Sequence, residues 1–168
     1  MKATNCRGLH PDEQRMILCA LLAERVACEP VCRSALADCT LFRRTPRVAE
    51  VDDVAGAVAY LALKTRASGV ALGSRVFLRR EVYGDDGEVG LALLAHELTH
   101  VVQFHRDGVA RFLWRYVVAY LAGLTRGIGD HQAYLSIPYE VEARRVARRV
   151  RQMSPGADSP PHRSRDDY

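Results

Sequence analysis

Long apolar runs are missing from this sequence, and lysine is nearly absent. The best stretch, residues 116–124, follows Arg111 and Arg115 and is far shorter than the roughly 20 residues of a transmembrane helix. Lysine occurs only at positions 2 and 64 among 24 basic residues. The net charge of +4 falls well short of a polycationic nucleic-acid binder. We therefore expect a soluble protein with no membrane span and no nucleic-acid partner.

A secretory signal is also missing from the N-terminus. The apolar run 16–23 follows an acidic segment and ends in Glu24-Arg25, whereas a signal peptide has a basic lead and a small-residue cleavage site. The run therefore predicts a folded helix. Export by the general secretory route is not expected.

Cysteine is confined to the first 39 residues, at positions 6, 19, 28, 32 and 39. The odd number leaves one thiol over in any full disulfide scheme. Disulfides could staple a helical hairpin bent near Pro30 in an oxidising compartment, or the thiols could stay reduced in a cytoplasm. A structural zinc is the weaker reading, because no paired CxxC spacing occurs.

Composition divides the chain into three zones. Residues 1–46 form a cysteine-bearing helical head, residues 47–151 the main domain, and residues 152–168 a tail with three prolines and no apolar periodicity, which predicts disorder. The 168-residue length and the 48% hydrophobic content suit a chain that needs no metal merely to fold.

Apolar spacing predicts a mainly helical α+β fold with one small hairpin. Helices are expected at 52–65, 89–104, 109–124 and 138–151, with a loop at 84–88. Two β-prone runs, 69–72 and 75–78, flank Gly73-Ser74 and predict the hairpin. The third helix carries an expected core stripe at positions 112, 113, 116, 117, 120, 121 and 124. The last helix starts at Pro138 and has one apolar and one arginine-rich face.

The segment His96-Glu97-Leu98-Thr99-His100 is an HExxH motif inside the apolar helix 89–104. Histidines four apart on a helix share a face, so His96 and His100 can bind one Zn²⁺. Glu97 would lie beside a metal-bound water and could accept its proton. Burying three ionisable groups without partners costs several kcal/mol, which favours a shared metal site.

A catalytic zinc needs a third protein ligand. The metzincin pattern would require glycine at 103 and histidine at 106, where this chain has Gln103 and Arg106. A glutamate on the last helix is the other source. Glu140 and Glu142 lie at similar angles on opposite flanks of that helix's apolar face, so the helical geometry alone does not choose between them.

The stretches LLAHELTHVVQ, GVALGSRVFL and AYLSIPYEVEARRVA together resemble a bacterial family of predicted zinc metallopeptidase domains. That family is often found with extracellular contractile injection systems. The resemblance covers about residues 47–150 and implies a zincin-like, gluzincin-type fold with the hairpin sheet near the HExxH helix. It also implies Glu142 as the third ligand, with Glu140 as the alternative. The aspartate that thermolysin-type enzymes carry four residues after that ligand is replaced by Val146.

The expected function is a zinc-dependent metallopeptidase that cleaves a protein or peptide substrate. A metal-activated water would attack the peptide carbonyl with Glu97 as general base. His131 and Tyr134 are candidate donors to the developing oxyanion. The alternative is a zinc-binding, non-proteolytic interaction or injection-system cargo module. Under either function, the expected location of the protein is the bacterial cytoplasm, or outside the cell after export by a non-classical route.

Overall fold

A computed structural model describes residues 4–5, 10–42, 68–78 and 87–154. The predicted helix 52–65, Cys6 and residues 155–168 lie outside these ranges. In chain order the elements are β1 (Thr4–Asn5), α1 (Pro11–Ala23), α2 (Glu29–Asp38), β2 (Thr40–Phe42), β3 (Gly69–Leu72), β4 (Arg75–Leu78), α3 (Gly87–Asp107), α4 (Val109–Thr125), α5 (Asp130–Leu135) and α6 (Pro138–Met153). The predicted mainly helical α+β class is confirmed.

The described part of the head contains two helices with a bend between them. His10 and Glu13 form a capping box at the start of α1, which satisfies backbone donors that a helix N-terminus leaves unpaired. Pro30 lies in the first turn of α2, where its missing N–H costs nothing. Cys19, Cys28 and Cys32 are free thiols, so these three do not staple the hairpin.

The predicted hairpin is present within a four-stranded sheet of order β1-β2-β4-β3. Strands β3 and β4 pair antiparallel, with Gly69 opposite Leu78 and Leu72 opposite Arg75. The turn between them uses Gly73 at φ 60°, a conformation that glycine adopts without strain. Strand β2 pairs parallel to β4. Among the described strands β3 is therefore an edge.

Helix α3 lies at the centre of the molecule. It packs most extensively against α6 and also contacts α2 and strand β3. One buried cluster joins side chains of the head, the sheet, α3 and α6, among them Ile17, Leu21, Leu78, Leu94 and Val146. The head and the HExxH helix thus share a core. The helix extends beyond the predicted 89–104 at both ends.

Helix α4 departs from its predicted core stripe. Phe112 is buried and Tyr116 and Tyr120 pack against the same aromatic cluster. The other four stripe positions, Leu113, Val117, Leu121 and Leu124, are exposed, so the prediction was wrong for them. The physical reason is that α4 is apolar on most of its circumference; Val109, Trp114 and Val118 are exposed as well. Helical periodicity cannot choose a buried face when nearly every face is apolar.

Helix α6 has the predicted two faces. Its buried side chains include Tyr139, Ala143, Val146 and Val150. It runs through Gln152 and Met153, two residues into the predicted tail. The short helix α5 lies between α4 and α6, where no helix was predicted. None of the described helices is both long enough and apolar enough to cross a membrane.

Candidate metal centre

The two histidines of the HExxH motif converge as their spacing predicts. His96 and His100 lie one turn apart on α3, and their Nε2 atoms are 3.2 Å apart. The His100 side chain is 9% exposed and that of His96 16%. Two imidazole nitrogens at this separation can contact one small cation.

Glu140 completes the cluster from the first turn of α6. One carboxylate oxygen, Oε2, lies 3.3 Å from His96 Nε2, and the other, Oε1, lies 3.3 Å from His100 Nε2. Tyr116 donates a hydrogen bond of 2.9 Å to Oε1. Oε2 is buried and has no hydrogen bond; its charged neighbours are His96 at 3.3 Å and Arg144 Nη1 at 3.7 Å. The three side chains are a candidate group for holding a metal ion.

Glu142 lies away from this cluster, although the resemblance implied it as the third ligand. Its carboxylate accepts hydrogen bonds from Arg106 Nη1, at 3.2 Å to each oxygen, and from Gln103 Nε2 at 2.7 Å. The expectation that Glu142 is the third ligand is therefore corrected. Glu140 is the one that α6 brings to His96 and His100.

Glu97 is buried beside the cluster and against the edge strand β3. It is 5% exposed, and the backbone N–H of Ala71 donates to its carboxylate. A Cβ at Gly69 would lie 2.9 Å from both Cγ and Oε1 of Glu97, so glycine leaves the room that this side chain fills. Burial raises the pKa of Glu97, and the nearby histidines offset that rise only in part.

The charges at the cluster favour a cation. Burial alone would lower the pKa of His100, but its hydrogen bond to Glu140 and the charges of Glu140 and Glu97 outweigh burial and raise it. Burial alone would raise the pKa of Glu140, but its close contacts with the imidazoles of His100 and His96 turn it downward. The carboxylates of Glu140 and Glu97 thus stabilise positive charge between His96 and His100.

The two candidate oxyanion donors lie in α5, but only one approaches the cluster. Tyr134 is 38% exposed, but its phenol hydrogen-bonds Glu140, and partial burial together with the negative charge of Glu140 raises its pKa. His131 is exposed. Within the described ranges no hydrogen bond or ion pair joins it to His96, His100 or Glu140.

Sequence reasoning missed two residues at this site. Gln103 is fully buried and its Oε1 lies 2.8 Å from His100 Nδ1, and Tyr116 holds Glu140. Gln103 follows His100 by three positions and so shares its face of α3, a signal that was available. Nothing in the sequence pairs Tyr116 with Glu140, because that contact depends on how α4 meets α6.

Comparison with known proteins gives one match. Residues 48–108 match the model of a family described as the eCIS core domain, which associates the chain with extracellular contractile injection systems and confirms that part of the resemblance. The match covers just over a third of the chain. It contains His96, Glu97 and His100 and ends before Glu140. No curated protein and no solved structure matches the chain.

Proposed function

We propose that this chain is a zinc-dependent peptidase in which His96, His100 and Glu140 hold the metal and Glu97 is the general base. The observation that carries the proposal is the convergence of these three side chains from α3 and α6, with Glu97 buried next to them. A site with three protein ligands and an adjacent base is typical of catalytic zinc, whereas structural sites close with four ligands.

The donor atoms support zinc. The Nε2 atoms of His96 and His100 are 3.2 Å apart, and each lies 3.3 Å from a different carboxylate oxygen of Glu140. One cation between them would therefore contact both imidazoles and the carboxylate. Two imidazoles also suit zinc better than magnesium or calcium.

Oε2 of Glu140 fits the same assignment. Tyr116 donates to Oε1, whereas Oε2 has no hydrogen bond and only ion-pair contacts with His96 and Arg144 at 3.3 and 3.7 Å. A cation would give this oxygen a direct partner and lower the free-energy cost of burying the carboxylate. When bound, the metal would supply Lewis-acid polarisation of a peptide carbonyl and of water.

Glu97 would move the protons of the reaction. Its carboxylate would accept a proton from the attacking water and deliver it to the nitrogen of the departing amine. A raised pKa brings a carboxylic acid nearer to the working pH, where a general base is most effective. The Ala71 N–H that bonds Glu97 would fix the direction from which the proton is taken.

Two further elements would act on the substrate. Tyr134 could donate its phenolic O–H to the carbonyl oxygen as that oxygen gains negative charge. The edge strand β3 contacts α3 beside Glu97, and an extended peptide could add to it through main-chain hydrogen bonds. A protein or peptide in extended form is therefore the substrate class that we propose.

A second candidate function is a metal-binding module of a contractile injection system that cleaves nothing. The match of residues 48–108 to the eCIS core domain favours it, because that description concerns the system and names no reaction. Glu97 distinguishes the candidates, since a module without catalysis has no need for a buried base beside the metal.

The test compares metal content with cleavage in four proteins: the wild type, His96→Ala, Glu97→Gln and Thr99→Val. Metal content would be measured by elemental analysis, and cleavage with casein and a peptide library. Thr99 is the matched control, because it is buried on α3 and its hydroxyl bonds only Ala95 O of the same helix.

We expect one zinc and cleavage in the wild type and in Thr99→Val, neither in His96→Ala, and zinc without cleavage in Glu97→Gln. Cleavage retained by Glu97→Gln would contradict the role of the base. One zinc with no cleavage of any substrate in the wild type would favour the non-proteolytic module.

A further inference from the structure

Gln103 connects the metal centre to α6 from a fully buried position on α3. Its Oε1 lies 2.8 Å from His100 Nδ1. Its Nε2 donates to the backbone carbonyl of Tyr139 at 3.1 Å and to Glu142 Oε2 at 2.7 Å. All hydrogen-bonding atoms of the amide therefore have partners.

The partners of Gln103 fix which way its amide points. The Tyr139 carbonyl can only accept. Both oxygens of Glu142 accept from Arg106, a side chain that can only donate. The atom of Gln103 that faces these two acceptors must therefore be the NH₂ group. The carbonyl Oε1 is left facing His100 and must receive a proton from Nδ1.

We propose that Gln103 is a positioning residue that keeps the proton of His100 on Nδ1, so that the lone pair of Nε2 points at the metal. Glu142 holds Gln103 in this orientation and is itself held by Arg106. The proposal rests on the proposed metal site and assigns a role to the glutamate that is not a ligand. Metal-binding histidines generally donate their second ring N–H to a neighbouring acceptor, which orients the ring.

The network also links the site to the head of the protein. Arg106 Nη1 donates to the backbone carbonyl of Val26 at 2.5 Å as well as to Glu142. Val26 lies in the bend between α1 and α2 and is buried in the shared core. The position of Glu142, and through it that of Gln103, is therefore set by packing between the head and the end of α3.

The first measurement needs only the metal-free wild type. Imidazole nitrogen and proton NMR, with the His100 signals assigned against His100→Ala, reports which ring nitrogen carries the proton. We expect a slowly exchanging proton on Nδ1, since Gln103 accepts it whether the ring is neutral or charged. A neutral His100 with its proton on Nε2, or an Nδ1 proton that exchanges as freely as in Gln103→Met, would overturn the proposal.

The second measurement is the dissociation constant for Zn²⁺, from competition with a chromophoric chelator. Gln103→Met keeps a similar volume without hydrogen bonds and should bind Zn²⁺ about 10- to 100-fold more weakly. Thr99→Val should bind as the wild type does. Glu142→Gln keeps an oxygen that can accept the hydrogen bond from Gln103, so this variant should retain one zinc. If Glu142 were a metal ligand, the neutral amide would not replace its carboxylate and zinc would be lost.

Different results would refute the proposed function and the positioning role of Gln103. A wild type that binds no Zn²⁺ would refute the proposed function, and the NMR signal of the His100 ring would still test whether Gln103 holds the proton on Nδ1. Wild-type zinc affinity in Gln103→Met, with an unchanged Nδ1 signal, would refute the positioning role and leave the metal site standing. A stoichiometric loss of zinc in Glu142→Gln would return Glu142 to the ligand set.

Discussion

Replacing Gly69 by alanine should displace the proposed base without touching the proposed metal ligands. The added Cβ would lie 2.8 Å from Leu78 Cδ2 and 2.9 Å from both Cγ and Oε1 of Glu97. Carbon atoms prefer separations of about 3.5–4.0 Å, so Glu97 would have to retreat by roughly half an ångström or more. That movement would also strain the hydrogen bond from the Ala71 N–H.

The expected magnitudes follow from this displacement. Overpacking a core of this kind costs about 1–3 kcal/mol in the free energy of unfolding. A misplacement of about 1 Å at a reacting group costs about 10²-fold in rate, so half that distance should lower peptide hydrolysis by about tenfold. Zinc content should stay at the wild-type value, because the atoms nearest to the new Cβ belong to Leu78 and Glu97 and not to His96, His100 or Glu140.

The assay combines urea unfolding, elemental analysis and peptide hydrolysis for Gly69→Ala and for a control, Gly129→Ala. Gly129 has φ of −60° and is the N-cap residue of α5, with open space around its would-be Cβ, so the control should cost no more than the roughly 1 kcal/mol of a poorer N-cap. Equal unfolding free energies for the two variants would refute the close packing of β3 on Glu97. Normal stability with unchanged hydrolysis would refute the role of that packing in placing the base.

Three further predictions are simpler. Tyr116→Phe removes the donor to Glu140 Oε1 and should weaken zinc binding about tenfold in a chelator competition; unchanged affinity would contradict the supporting role of the phenol. Burial alone would raise the pKa of Asp107, but the hydrogen bonds that Arg106 and Tyr139 donate to its carboxylate lower it. Its stabilising contribution is therefore complete above the unfolded pKa of about 3.9 and is lost as the pH falls, so wild type and Asp107→Asn should converge in urea unfolding below about pH 4; a gap that widens there would contradict the assignment. Phe112→Ala should lower the free energy of unfolding by about 3–5 kcal/mol. Trp114→Ala, at a 71% exposed position, should change it by no more than about 0.5 kcal/mol. Thermal unfolding that ranks the two variants in the opposite order would contradict the orientation of α4.

The elements that follow from local chemistry were predictable. The hairpin follows from two β-prone runs around Gly73-Ser74, and α6 from a proline start with one apolar face. The convergence of His96 and His100 follows from helical geometry alone. In each case the information lies within a few consecutive residues.

The orientation of α4 was not predictable for a different reason. Its sequence is apolar around most of the helix, so the residues that become buried are chosen by contacts with α3 and α6. Phe112 packs on Phe104 and Tyr139 with ring centroids 4.1 and 4.4 Å apart. These contacts are long-range in sequence, and they place Tyr116 next to Glu140.

The choice between Glu140 and Glu142 depends on the same long-range packing. The two lie on opposite flanks of the apolar face of α6 at similar angles, so the helical pattern alone does not choose between them. The way α6 packs on α3 does. Pro138 begins α6 and puts Glu140 in the first turn of the helix, where the helix dipole stabilises a carboxylate. The preceding residue, Ile137, is buried in the aromatic cluster and sets that first turn against α3. Glu142 then lies level with Gln103 and Arg106 and not with His96. Under our proposals Glu140 holds the metal and Glu142 orients the amide behind His100, and the packing of α6 on α3 is what assigns these two roles.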